Sequence, residues 1–213
     1  MLVYSLAVVL VLPTVAIAQG GPQYVELCDP CSIVLHDGTP PADFRFELET
    51  VPQGRVVKAI VFERGGHTVQ KLDVPSMTPL AQDESFFFGG QEINFDGWLD
   101  LLLMTERGSA NAEAEYWVYD PAADRFRDLG EFPIFRVDAA HKRLSTYVRN
   151  GPAGLDFERR DYAFEGNDLI VMREETQEPA PRRPGWYVHT VRRRKDGKLV
   201  VVLRQSVKQP PTP

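Results

Sequence analysis

The segment 43–50 reads DFRFELET, in which Phe44, Phe46 and Leu48 alternate strictly with Arg45, Glu47 and Glu49. A helix advances about 100° per residue and would scatter those three apolar side chains around its axis; a strand sets them on one face. The alternation returns at 114–119 (AEYWVY), and further strand-like runs lie at 56–63 (VVKAIVFE), 67–74, 143–148, 155–164, 169–174, 186–192 and 199–204. Segments 32–35, 85–88 and 99–105 (LDLLLMT) are more continuously apolar and read as buried strands. Turn signals separate them: Arg64-Gly65-Gly66, Asp120-Pro121, Glu165-Gly166-Asn167-Asp168 and Lys195-Asp196-Gly197-Lys198. No window of a dozen residues carries a helical stripe. The expectation is an all-β chain of antiparallel sheets, with about a dozen short strands in a sandwich or a small propeller-like arrangement.

The first 18 residues, MLVYSLAVVLVLPTVAIA, carry no charge and end in Ala16-Ile17-Ala18, the small-x-small pattern of a signal-peptidase site. They read as a signal peptide that exports the chain to the periplasm. The remainder predicts a single β-rich domain over 19–207, with 208–213, rich in proline, as a disordered tail. The segment 177–184 (QEPAPRRP) reads as a proline-rich loop. Cys28 and Cys31, in Cys-Asp-Pro-Cys, are the chain's two cysteines. In an oxidising compartment they form either a local structural disulfide or a thioredoxin-like redox pair. The redox pair needs a helix behind the first cysteine, and Ser32-Ile33-Val34-Leu35 is strand-like instead, which favours the structural bridge.

The 213-residue chain carries a net charge of −6, which argues against a nucleic-acid partner. The charge is uneven: 14 acids and 5 bases lie between 19 and 106, against 16 acids and 19 bases from 107 onwards. An acidic half of this kind would attract a basic partner over long range.

One stretch has the spacing of a metal loop. In Glu92-Ile93-Asn94-Phe95-Asp96-Gly97-Trp98-Leu99-Asp100, oxygen-bearing side chains recur at 92, 94, 96 and 100, Trp98 offers a backbone carbonyl in the same series, and Gly97 stands where such a loop bends sharply. Hard Ca²⁺ takes six to eight oxygens, so the reading is a structural calcium site within a strand connection. The alternative is a metal-free turn in which Asn94 and Asp96 cap their own backbone. The pattern resembles the Asp-x-Asn-x-Asp-Gly-x-x-Asp loops of FG-GAP-like and propeller-type proteins, with Glu92 in place of the first Asp.

Catalytic signatures are missing. There is no Gly-x-Ser-x-Gly elbow, no His-Glu-x-x-His and no glycine-rich phosphate loop, and His36, His67, His141 and His189 are scattered. A non-enzymatic protein is expected.

The order of the calcium-like loop, Tyr116-Trp117-Val118-Tyr119-Asp120-Pro121, Phe126, Ser145-Thr146-Tyr147-Val148-Arg149-Asn150-Gly151, Tyr162, Asn167 and Leu169-Ile170-Val171 resembles a family of exported bacterial β-proteins. These are similar to periplasmic inhibitors of invertebrate-type lysozyme, and include immunity proteins against peptidoglycan-hydrolase effectors delivered by interbacterial secretion systems. The resemblance implies a peptidoglycan hydrolase as partner, blocked by a loop inserted into its cleft. The matching loop is 147–154, with Tyr147, Arg149, Asn150, Gly151 and Gly154 as its inhibitory residues. The alternative is a calcium-stabilised β module for adhesion or polysaccharide binding.

Overall fold

The computed structural model describes residues 23–26, 31–81, 84–108, 110–151 and 154–208. The described residues form fifteen β-strands and no α-helix, arranged in three antiparallel sheets, none closed into a barrel. The four-stranded sheet follows chain order: β2 (Cys31–Ile33), β3 (Ala42–Val51), β4 (Gly54–Arg64) and β5 (His67–Asp73). The five-stranded sheet has β1 (Gln23–Glu26) at one edge, then β6 (Phe87–Gln91), β7 (Asp100–Arg107), β8 (Ala112–Asp120) and β9 (Arg125–Pro133). The six-stranded sheet is a meander of β10 (Arg136–Asp138), β11 (Arg143–Arg149), β12 (Phe157–Glu165), β13 (Asp168–Pro179), β14 (Trp186–Lys195) and β15 (Lys198–Lys208).

The five-stranded sheet is the middle layer. From β7, Leu101 and Leu103 enter one core with Phe44, Ile60 and Phe62 of the four-stranded sheet, while Leu102 enters a second core with Leu144 and Tyr162 of the six-stranded sheet. The neighbouring β8 divides in the same way, with Trp117 and Tyr119 on the first side and Tyr116 and Val118 on the second. Both faces of these strands are buried, so Leu101 to Met104 and Tyr116 to Tyr119 are apolar without a break, whereas the outer-layer strand β3 alternates. The first core is aromatic: Phe44 packs on Phe62, Phe88 and Phe126, and Tyr119 on Phe126, with ring centroids 4.9–5.9 Å apart. In the second, the buried Tyr116 hydroxyl accepts the Phe135 N–H at 3.1 Å, so the ring adds packing without stranding its polar end.

Some strands escape the periodicity. Strand β9 (RFRDLGEFP) contains Gly130 at φ +99°, and its ladder with β8 shifts register at Tyr116/Trp117, which hides the alternation. Strand β6 continues through Gly89 and Gly90, which the sequence reads as its terminus; a Cβ on Gly90 would lie 3.0 Å from Leu99 Cδ1, and glycine permits that approach. Strand β13 runs on to Pro179, three residues into the segment read as a proline-rich loop, because Gln177, Glu178 and Pro179 stay in register with His189, Val188 and Tyr187. The expected tight turns at Gly65-Gly66, Gly166-Asn167 and Asp196-Gly197 each join partnered strand ends, with positive φ at both central positions of the first and third.

Double-sided burial has a direct test. Leu101→Ala and Leu102→Ala, adjacent residues on opposite faces, should each cost about 2–5 kcal/mol in urea denaturation. In a two-layer sandwich, one of the two would be cheap. Val201→Ala on β15, 54% exposed, should cost less than about 0.5 kcal/mol.

Candidate functional site

The loop between β6 and β7 is built by its own polar side chains. Glu92 Oε1 accepts the Gly97 N–H at 2.7 Å, Asn94 Oδ1 accepts that of Asp96 at 3.2 Å, and Asp96 Oδ1 accepts that of Trp98 at 2.8 Å. Asn94 Nδ2 donates to Asp96 Oδ2 at 2.8 Å. Phe95 and Gly97 take positive φ, 63° and 91°, and wind the backbone tightly enough for these bonds to close. Asp100 differs from the others: it is 1% exposed and turned inward. Its Oδ2 accepts the Ile93 and Asn94 N–H groups at 2.9 and 3.3 Å, and its Oδ1 accepts that of Tyr119 on β8 at 2.9 Å. Burial pushes the Asp100 carboxyl up to about 7, against the pull of those backbone donors. Among the described residues no group of three or more His, Cys, Asp or Glu side chains is placed to hold a metal ion. The donors have the hard-oxygen chemistry Ca²⁺ requires, but Asp100 serves the fold.

Local spacing gives His36 no role. The fold does: His36 stacks on Trp98 with centroids 4.6 Å apart, and its Nδ1 meets Gly97 O at 2.8 Å, so it ties the loop to the four-stranded sheet. Cys31 is buried and disulfide-bonded, whereas Cys28 lies outside the described residues, as do residues 1–18, read as a signal peptide, and residues 209–213. Lys208, placed in the tail by sequence, ends β15 opposite Trp186.

The second candidate is the β11–β12 connection. Tyr147, Arg149, Asn150, Gly151 and Gly154 fall together there, at one end of the six-stranded sheet; Pro152 and Ala153 lie outside the described residues. Tyr147 is 41% exposed, its ring 5.5 Å from that of Phe157 and 6.0 Å from the Arg149 guanidinium carbon. The Asn150 N–H bonds to Asp156 O at 2.9 Å and closes the base of the loop. Gly154 takes φ +68°, and a Cβ there would lie 3.5 Å from the Tyr147 hydroxyl and 3.8 Å from Arg149 Nε, so the chain folds back against both side chains.

An unforeseen residue fixes this loop to the middle layer. Asn111, before β8, donates from Nδ2 to Arg149 O at 2.9 Å and accepts the Arg149 N–H on Oδ1 at 2.8 Å. One side-chain amide thus satisfies both backbone groups of Arg149 as a neighbouring strand would. Gln70 does the same across the other interface, bonding Phe126 O and N at 2.8 Å each. Beside it Arg64, from β4, bonds Asp124 and the Tyr119 hydroxyl at 2.9 Å. Burial would raise Asp124, but the hydrogen bonds from Tyr119 and Arg64 outweigh it and hold the carboxyl low.

No protein family and no curated protein matches the sequence. Among solved structures, the fold is similar to that of a Xanthomonas type IV secretion system related protein, with a TM-score of 0.53 and 14% identity over 86% of this chain and 99% of that one. At that identity the likeness is one of fold.

The buried carboxyls set measurable expectations. Asp100→Ala leaves three backbone N–H groups without their acceptor and should cost about 3 kcal/mol or more in urea denaturation; Asp96→Ala, at the exposed rim, should cost about 1 kcal/mol or less. Glu115 on β8 is 2% exposed, and burial first, then its hydrogen bond to Asp128, pushes it up to about 7. For Asp100 and Glu115 the folded state holds a proton that the unfolded chain releases near pH 4, so stability falls as pH rises from about 4 to about 7 and levels off above. Urea midpoints measured across that range should show the decline, and Glu115→Gln should shrink it.

Proposed function

We propose that this chain is a periplasmic inhibitor, of the immunity-protein kind, that blocks a peptidoglycan hydrolase by inserting the 147–154 loop into its substrate cleft. The observation that carries the reading is the anchoring of that loop at its two ends. Asn111 grips Arg149 on both backbone groups, Asn150 and Asp156 close the base, and Tyr147 and Arg149 remain at the surface. A loop held at both ends forfeits less entropy on docking than a free one. The fold likeness to a secretion-system related protein and the signal-like first 18 residues are in keeping with it.

Chemistry supports the fit. Glycan hydrolases commonly act through a pair of carboxyl groups across the scissile bond. A guanidinium reaching that pair finds the acceptor its planar fork matches best, while Tyr147 offers a rigid flat face against the cleft wall. The loop belongs to the basic part of the chain: residues 134–208 carry 10 acids and 16 bases, and the rest of the chain is correspondingly acidic. The net −6 would draw a basic hydrolase in, and the basic sheet would then meet its carboxylates.

Ca²⁺ is proposed alongside as a structural ion of the 92–100 loop, with Glu92, Asn94, Asp96 and the Trp98 carbonyl as its oxygens and Asp100 bracing them from inside. Calorimetric titration should show saturable Ca²⁺ binding that Asp96→Ala removes; a flat trace leaves a hydrogen-bonded turn.

For the inhibitor, the test is wall lysis by lysozyme-type hydrolases with and without the purified chain. Stoichiometric protection is expected. Arg149→Ala should weaken inhibition at least about tenfold with an unchanged melting temperature, since the side chain is exposed. Asn111→Ala should weaken it less and lower stability slightly, by freeing the backbone of the loop. Absence of protection and of complex formation across such hydrolases overturns the proposal.

A further inference from the structure

The outward face of the six-stranded sheet, the side turned away from the middle layer, carries a cavity of about 520 Å³ lined by Arg143, Arg159, Arg173 and Arg193. Its position follows from the register. Ser145, Asp161, Arg173 and Arg193 are successive partners across β11, β12, β13 and β14, so their side chains share one face. Arg143 and Arg159 lie two residues from Ser145 and Asp161 on the same face of their strands.

The cavity's own carboxylates do not match these charges. Asp161 is shared between Arg159 and Arg173, at 3.3 and 3.6 Å, and Arg173 also reaches Glu175 at 2.5 Å. Asp138, on the rim, is taken by His141 Nδ1 at 2.8 Å. Arg143 and Arg193 have no ion pair among the described residues. Arg173 and Arg193 stand directly opposite each other, and like charges in direct cross-strand register destabilise a sheet. On the inward face of the same sheet, Arg160 and Arg192 both bond Glu174. A concave surface that gathers the guanidiniums of Arg143, Arg159, Arg173 and Arg193 on one face and leaves two of them unpaired resembles a locally unfavourable arrangement retained for a ligand.

We propose that this cavity binds a phosphate-bearing anion of at least two negative charges. Guanidinium forks match phosphate oxygens two at a time, and several of them converging on a recess select a compact multivalent anion over a lone carboxylate. The site is separate from the inhibitory loop, and the inference does not rest on that reading. The ligand chemistry has two sources, a soluble polyphosphate-type anion and the headgroup of an anionic lipid.

The test uses the full exported chain without any hydrolase. Inorganic pyrophosphate is titrated by calorimetry at fixed ionic strength, and flotation with phosphatidylglycerol vesicles is compared with phosphatidylcholine vesicles. Saturable pyrophosphate binding near one to one, weakened at least about tenfold by Arg193→Gln and by Arg143→Gln but not by Lys208→Gln, supports the site. Flotation on phosphatidylglycerol alone, competed by pyrophosphate and lost in the same two variants, supports it with a lipid source; pyrophosphate binding without flotation supports it with a soluble one. Without anion, Arg193→Gln should melt about 1–3 °C higher than the parent, because it removes one of two opposed charges. Pyrophosphate bound no better than chloride, variants that bind like the parent, or an Arg193→Gln chain that melts well below it would each overturn the proposal.

Discussion

Everything in this molecule depends on a sheet that is covered on both sides. Leu101, Leu102 and Leu103 leave no face of β7 for water, and Tyr116 to Tyr119 do the same for β8. The two outer sheets meet only through this layer, one against the Phe44 and Trp117 core and the other against the Tyr116 and Tyr162 core. Apolar burial is non-directional, so it drives stacking without fixing how each outer sheet is placed. Placement falls to polar side chains at the seams. Gln70 and Asn111 bond backbone groups of β9 and β11, and Arg64 joins Tyr119 and Asp124. Each bond is directional and reaches into a partly buried seam, where an unmade bond is costly.

The loop geometry follows from that division of labour. The 92–100 connection joins two neighbouring strands of the middle layer and lies against His36, where a bent backbone leaves N–H groups that no strand satisfies. Asp100 answers three of them from inside, and Glu92, Asn94 and Asp96 answer others from outside. The 147–154 connection is exposed, and the fold holds only its Arg149 end, through Asn111, and its Asn150–Asp156 base. One loop is therefore bound into the structure along its length, while the other is held at its ends and leaves Tyr147 and Arg149 exposed.

The sequence showed the strand class clearly because side-chain alternation follows directly from one-sided burial, as in β3. It showed the tight hairpins because Asp-Gly and Gly-Gly supply the positive φ those turns need. It did not show that there are three layers, although the apolar runs Leu101 to Met104 and Tyr116 to Tyr119 carried the trace of a sheet buried on both faces. Strand β9 was lost because a bulge and Gly130 broke its period. At the sites, the oxygen spacing of 92–100 was legible, but Asp100 as an inward anchor was not, since its partner Tyr119 lies nineteen residues away. Asn111 and His36 act across 38 and 61 residues and leave no local pattern.

The charge asymmetry read along the chain becomes an asymmetry between layers. Because the six-stranded sheet is a continuous meander from Arg136 to Lys208, the basic C-terminal stretch is confined to one outer layer, and the acidic remainder falls in the middle and opposite layers. A molecule with net −6 thus presents a basic sheet, and both its exposed loop and its arginine cavity lie on that sheet. At low ionic strength the net charge governs attraction at long range, but within about a Debye length, 8 Å in physiological salt, a partner feels the nearest layer. Long-range attraction to cations and short-range affinity for anions then coexist without conflict, because a double-sided core keeps the two kinds of surface a full sheet apart.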